Sequence, residues 1–195
     1  MMVSAMASAR PCAPGRLELV QDLVNSLDFP DGEDQLASRA DAVAWLRRHG
    51  ARVARVTEAE RRQLIDVREA LRTLLQANSR HEGDVVDPGA ASLLTSTFNA
   101  AGIGAVISQR GAQLVPARSG FQGFLGEVGS AIIEATLDGT WPRLKACHSD
   151  TCRYAFYDRS KNGCSVWCSM DVCGSRHKAR AYRERSRAAV SDVSG

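Results

Sequence analysis

The chain has 195 residues, 44% hydrophobic, 24% charged and 6% aromatic. That is enough for one real core with an appendage, and it is too apolar for a disordered chain. The longest stretch free of charge or strong polarity, around residues 100–107, is far too short to cross a bilayer. No apolar run follows a basic start, which argues against a secretory signal and for a cytoplasmic protein. The net charge of +3 conceals a polarity: residues 143–187 hold 11 Lys or Arg against 4 Asp or Glu, a net of +7, and the remainder holds 14 against 18, a net of −4. A mildly acidic body with a basic tail suits a polyanionic partner.

Residues 1–15, rich in Met, Ala and Ser, read as a disordered leader. Leu17, Leu19, Val20, Leu23, Val24 and Leu27 recur at helical spacing and predict an amphipathic helix near 16–28. The acidic, Pro- and Gly-containing segment 28–34 breaks it as a loop. Ser38 with Asp41 resembles a capping box and opens a short helix through Val43, Trp45 and Leu46 that stops at Gly50. Thr57 with Glu60 repeats the signal, and Leu64, Val67, Leu71, Leu74 and Leu75 make the stripe of a helix ending near Asn78. Residues 81–89 read as a polar turn and 90–101 as another helix. The period then changes to two. Residues 105–109 and 112–117, joined through Arg110-Gly111, predict a β-hairpin. Helical spacing resumes from Phe121 to Leu137, and Gly139 stops it. The expected fold is α+β and mostly helical. It comprises a helical N-terminal domain with a small β-hairpin over 16–139, a small four-cysteine module with a basic helix over 140–188, and a disordered tail over 189–195.

The helical body carries little chemistry. It has no phosphate-cradling Gly loop, no nucleophile elbow and no pair of His at metal spacing. His49 and His81 fall at a predicted helix end and in a predicted turn, where capping or solvated roles suffice. Asn25 lies on an apolar helix face, and a buried amide requires partners; it either ties the helix to a neighbouring backbone or lines a ligand pocket.

Five of the six cysteines lie between Cys147 and Cys173. In a cytosolic chain such clustering points to metal rather than disulfides. Cys147-x4-Cys152 and Cys168-x4-Cys173 are two short-loop pairs separated by fifteen residues, which is what a closed tetrahedral Zn²⁺ site needs. Tyr154, Phe156, Val166 and Trp167 are too small a core to fold alone, so one structural zinc would supply the missing free energy, ~10 kcal/mol or more. Four thiolates leave no open position for water, so a catalytic zinc is not expected. The symmetric choice leaves Cys164 free, and His148 and His177 become local hydrogen-bonding or partner-contacting residues.

After Cys173 a helix beginning at Gly174-Ser175 is predicted. At about 100° per residue, Arg176, Arg180, Arg183 and Arg187 share a band roughly 60° wide, with Lys178, Tyr182 and Arg185 on the other side. Such neighbours repel by a few tenths of a kcal/mol per pair, a cost that a polyanion removes. Arg153, Arg159, Arg176 or Lys178 could instead compensate the formal charge of the zinc–thiolate cluster, but the basic excess outruns that need. The expected nucleic-acid contacts are therefore Arg176, Lys178, Arg180, Arg183 and Arg187, their forked guanidinium groups matched to phosphate and guanine.

Cys147-x4-Cys152, Phe156-Tyr157-Asp158-Arg159-Ser160, Trp167-Cys168-Ser169-Met170 and Cys173-Gly174-Ser175-Arg176 together resemble the CGNR zinc finger. The stretch 17–27, with Asn25-Ser26 where its partner domain usually has Asn-Thr, resembles the N-terminal ABATE domain. The resemblance implies a bacterial stress-induced or DNA-binding transcription regulator, with Cys147, Cys152, Cys168 and Cys173 as zinc ligands. It also implies an N-terminal domain that senses a ligand or joins subunits. Ser175 stands where the family name has Asn, and Cys164 where the family often has a basic or polar residue. The expected function is zinc-dependent DNA binding by a nucleoid-associated homodimer, since one short helix reads only about 3–4 base pairs. RNA binding, with Tyr154, Tyr157, Trp167 and Tyr182 stacking on bases, is the alternative, and a protein–protein adaptor with a purely structural zinc is another. No catalytic constellation is visible, so an enzyme is not expected.

Overall fold

The computed structural model describes residues 12–79, 87–180, 182 and 183. Positions 1–11 of the expected leader, most of the polar turn from His81, Arg185, Arg187 and the tail lie outside the described residues. The fold is α+β and mostly helical, as the periodicities predict.

Helix α1 (Leu17–Val24) is shorter than its apolar spacing suggests. Leu27 belongs instead to a two-residue strand, β1 (Leu27–Asp28), paired antiparallel with β2 (Glu33–Asp34), so the expected loop over 28–34 is a closed turn. The predicted starts of α2 (Arg39–Arg48) and α3 (Glu58–Ala77) carry full capping boxes, Ser38 with Asp41 and Thr57 with Glu60. Helix α4 (Pro88–Ala101) begins with Pro at a position whose amide needs no partner, and the Asp87 side chain accepts from the Gly89 amide. It runs through Gly102 into β3 (Ile103–Ser108), which pairs with β4 (Gly111–Pro116). The turn is Gln109-Arg110, not Arg110-Gly111; Gly111, at φ +108°, opens the returning strand. Helix α5 (Gly120–Leu137) follows.

The core is continuous. Leu23, Val24, Trp45, Leu46, Leu64, Leu71, Leu75 and Leu125 are fully buried at its centre. The β3–β4 hairpin lies on α5 where Gly126 and Gly129 permit close approach; a Cβ on Gly126 would come within 3.1 Å of the Gly102 carbonyl. Beyond α5, a 3₁₀ turn (Trp141–Arg143) leads to a second hairpin, β5 (Leu144–Ala146) against β6 (Ala155–Tyr157). Leu144, Ala146 and Ala155 belong to the same apolar core as the helices. Among the described residues no helix is long and apolar enough to cross a membrane.

Candidate metal centre and basic helix

The cysteine region is built outward from the β5–β6 hairpin, which the body holds by its backbone. Asn25 Nδ2 donates to the Ala155 carbonyl at 2.9 Å while the Ala155 amide donates to Asn25 Oδ1 at 2.7 Å. Gln21, one turn earlier on α1, donates to the same carbonyl at 3.2 Å. From α3, Arg72 donates to the carbonyls of Arg153 and Val24 at 2.9 and 2.7 Å. Asn78 reaches the Leu144 carbonyl at 2.9 Å, and Ser79 Oγ the Ala146 carbonyl at 2.6 Å. Asn25 is thus engaged with backbone on both sides of its amide. Even part of the expected leader is tied down: the buried Ala13 donates its amide to Gln21 Oε1 at 2.6 Å.

The Cys147 amide donates to the Tyr154 carbonyl at 2.9 Å, so the hairpin continues into the first cysteine loop. That loop closes when the amides of Cys152 and Arg153 both donate to the Ser149 carbonyl, at 2.9 and 3.0 Å. Arg153 adopts φ +49°, an uncommon conformation for a residue with a Cβ. Its guanidinium lies over Phe29, 5.3 Å from the ring centroid, and that of Arg159 donates to the Cys12 carbonyl. Both arginines therefore engage the body.

The second cysteine pair is returned by a buried ion pair. Lys145 and Asp158 are almost wholly buried, with Nζ and Oδ2 3.0 Å apart. Lys145 also donates to the Gly163 and Ser165 carbonyls, and Asp158 accepts from the amides of Ser160 and Ser165. Burial opposes ionisation of Asp158, but hydrogen bonds from Ser160, Lys145 and the Ser165 amide outweigh it and hold its carboxyl well below the usual range. Every charge in this bolt has a partner, the condition under which a buried pair is tolerable. The His148 amide then donates to the Val166 carbonyl at 2.9 Å, laying the incoming segment beside the first loop. Ser169 opens the last turn, its carbonyl accepting from the amides of Cys173 and Gly174. A Cβ on Gly174 would sit 2.9 Å from the sulfur of Met170, an exposed and flexible side chain that would have to move aside.

The four Sγ atoms of Cys147, Cys152, Cys168 and Cys173 lie within 4.8 Å of one another. The spacings Cys152–Cys168 and Cys168–Cys173 are 3.6 and 3.7 Å. A tetrahedron with Zn–S bonds of about 2.3 Å has sulfur–sulfur edges of roughly 3.8 Å. The electrostatics agree. With no cation, hydrogen bonds from Cys152 and Cys168 favour a lone thiolate at Cys147, holding its pKa at about 2. That thiolate's claim on the Cys168 proton raises Cys168, while burial and the same charge push Cys173 up to about 12. Four thiolates gathered this closely call for a divalent cation between them. The cluster fits one structural zinc, held by four thiolates with no open position. Cys164 is exposed and outside the cluster.

Helical residues at 175–180 and 182–183 (α6) follow directly from the turn that carries Cys173. Arg176, Lys178, Arg180 and Arg183 are all exposed. Trp167 packs against the cysteines, with His177 4.8 Å and His148 5.6 Å from it, centroid to centroid. Arg176, His177 and Arg180, with His148 and Asp150 opposite, border a groove of about 420 Å³. Sequence reasoning missed the Lys145–Asp158 bolt and the clasp of Gln21, Arg72, Asn78 and Ser79. The available signals were a Lys between two apolar strand residues, and polar residues four apart, Gln21–Asn25 and Arg68–Arg72, on otherwise apolar helix faces.

No curated protein matches the chain in sequence. The family model described as the CGNR zinc finger matches residues 143–186, which contain the four clustered cysteines and the start of α6. The ABATE model, described as "Putative stress-induced transcription regulator", matches residues 17–141, the helical body with its hairpin. With more than half of its length on that model, and the zinc finger directly after it, the chain belongs to the ABATE family.

Proposed function

We propose that the protein is a zinc-dependent DNA-binding transcription regulator. The observation that carries the reading is the origin of α6: it emerges from the turn bearing Cys173, so Arg176, Lys178, Arg180 and Arg183 are exposed on a helix pinned to the metal centre. A helix fixed at one end loses little further entropy on docking, and exposed arginines pair with phosphate oxygens in forked geometry. Arg176, Lys178 and Arg180, nearest the cysteines, are assigned to base edges or the flanking phosphates, and Arg183 and Arg187 are assigned to phosphates. The bound zinc supplies no reaction step. It holds the two cysteine loops together, and the protein acts as a binder and not as an enzyme.

With Arg153 and Arg159 engaged by the body, compensation of the zinc–thiolate charge falls to Arg176 and Lys178, and the net +7 of residues 143–187 still exceeds that need. Trp167, the residue most suited to stacking on an unpaired base, is occupied against the cysteines and two histidines, which favours duplex DNA over RNA. One short helix needs a second half-site for genomic discrimination, so the binding species is a homodimer whose body supplies the interface. A small-molecule effector would enter the cleft of about 430 Å³ in the body, where Arg16, His49, Arg52, Arg118 and Glu127 surround Leu19 and Phe124.

Replacing Arg180, Arg183 and Arg187 together tests the assignment. Loss of three phosphate contacts makes the slope of log affinity against log salt shallower by about 2.7, with affinity reduced on all sequences alike. An unchanged slope in anisotropy titrations places those arginines away from phosphate.

A further inference from the structure

We propose that the outer edge of β3 is a dimerisation edge, on which β3 of a second copy pairs antiparallel to form a four-stranded sheet. This deepens the homodimer reading by naming the surface that joins the copies, and it does not depend on DNA binding.

The hairpin register identifies which backbone groups are open. The Ala117 amide donates to the Gly102 carbonyl, so pairs 104–115, 106–113 and 108–111 are the bonded ones. The N–H and C=O groups of Ile103, Ala105 and Ile107 therefore point outward from β3, and they have no hydrogen-bond partner among the described residues. On β4 the outward positions are Ala112, Leu114 and Pro116, and this edge is blunted twice. Arg16 donates to the Leu114 carbonyl at 3.1 Å, and Pro116 has no N–H to offer. This hairpin thus presents one open strand edge, and pairing through that single edge closes at two copies instead of growing into a fibre.

The occupant is a second copy because the edge is self-complementary. Ile103-Gly104-Ala105-Val106-Ile107 reads nearly the same in both directions about Ala105. A twofold axis through Ala105 sets Ile103 opposite the second copy's Ile107 and brings all three outward pairs into ladder bonds. Residues 88–109 contain no charged side chain, so identical surfaces meet there without like-charge repulsion. The apolar exposure is concentrated here as well: Val106 is 51% exposed and Ile107 76%. Ile103 rests against Gly129 of α5, and Ile133 and Leu137, one and two turns further along that helix, are 40% and 82% exposed. In the proposed register Ile107 lies beside the second copy's Ile103, on the face turned toward α5.

The test is the mass of the full zinc-loaded chain in solution without DNA, by sedimentation equilibrium. The unchanged protein is expected at twice its 21.0 kDa. Ile107→Lys, and separately Ala105→Pro, which removes an outward amide that the hairpin does not use, are expected at 21.0 kDa with an unaltered circular dichroism spectrum. Ala112→Lys, on the blunted edge, is expected to remain dimeric. A monomeric unchanged protein overturns the proposal, as does a dimer that survives both β3 substitutions or is lost with Ala112→Lys. A β3 dimer that fails to bind DNA counts against the regulator reading alone, and a monomer that binds DNA counts against this proposal and the homodimer reading but leaves DNA binding standing.

Discussion

His49 is the residue whose charge ties α1 to α2. Its ring stacks on Trp45 with centroids 3.9 Å apart, Nδ1 lies 2.8 Å from the Trp45 carbonyl, and Nε2 faces Asp22 at 3.4 Å. Burial opposes its protonation, but the bonds to Asp22 and to the Trp45 carbonyl prevail, so its pKa stands above 6.5. A raised pKa stabilises the fold fully below the unfolded value and loses that contribution as pH rises through the folded one. Urea unfolding at pH 6 and pH 8 should therefore show Asp22→Asn costing more stability at pH 6; an equal cost at both would remove the ion pair. His49 was legible only as a helix-end residue, since Asp22 lies 27 positions earlier in the sequence. Asn25 was legible as an amide needing partners, but Ala155 is 130 residues away, and spacing cannot name so distant a backbone.

At the scale of elements, local chemistry was readable and distant approach was not. The capping boxes at Ser38 and Thr57 are decided within four residues, and both helices begin where they predict. Strands β5 and β6 have three residues each, too few for alternation to show. The turn of the β3–β4 hairpin was misplaced because Gly favours a turn position, whereas Gly111 opens the strand instead. Glycine also marks how α5 meets its surroundings. Added at Gly123, a Cβ would fall 2.5 Å from the Arg118 carbonyl, a backbone atom that cannot rotate away. Gly123→Ala gains up to ~1 kcal/mol of helix propensity but meets a clash of about 1–3 kcal/mol. The second effect wins, and a lowered Tm is expected; a raised one would show that the Arg118 turn yields.

Across the whole molecule, the metal centre and the helical core are mechanically joined. The hairpin that opens the cysteine region shares the body's apolar core, and five side chains of α1 and the α3 end hold its backbone. Cys152→Ser or Cys173→Ser is therefore expected to abolish the full zinc equivalent and to lower the Tm of the helical body with it. Retention of one zinc per chain by elemental analysis would reject the ligand set. The two cysteine pairs were legible because a tetrahedral ion demands short loops, a rule of local spacing. The bolt that aligns those loops was not, because Lys145 and Asp158 become informative only when both are buried.

The most direct measurement is the anisotropy of a labelled random-sequence duplex titrated with the zinc-loaded protein at two salt concentrations, beside single-stranded RNA at matched salt. Salt-sensitive binding to the duplex, weaker binding to the RNA, and loss of both when a chelator removes the zinc are expected. No duplex binding at low salt, or binding that survives the chelator, would contradict that expectation.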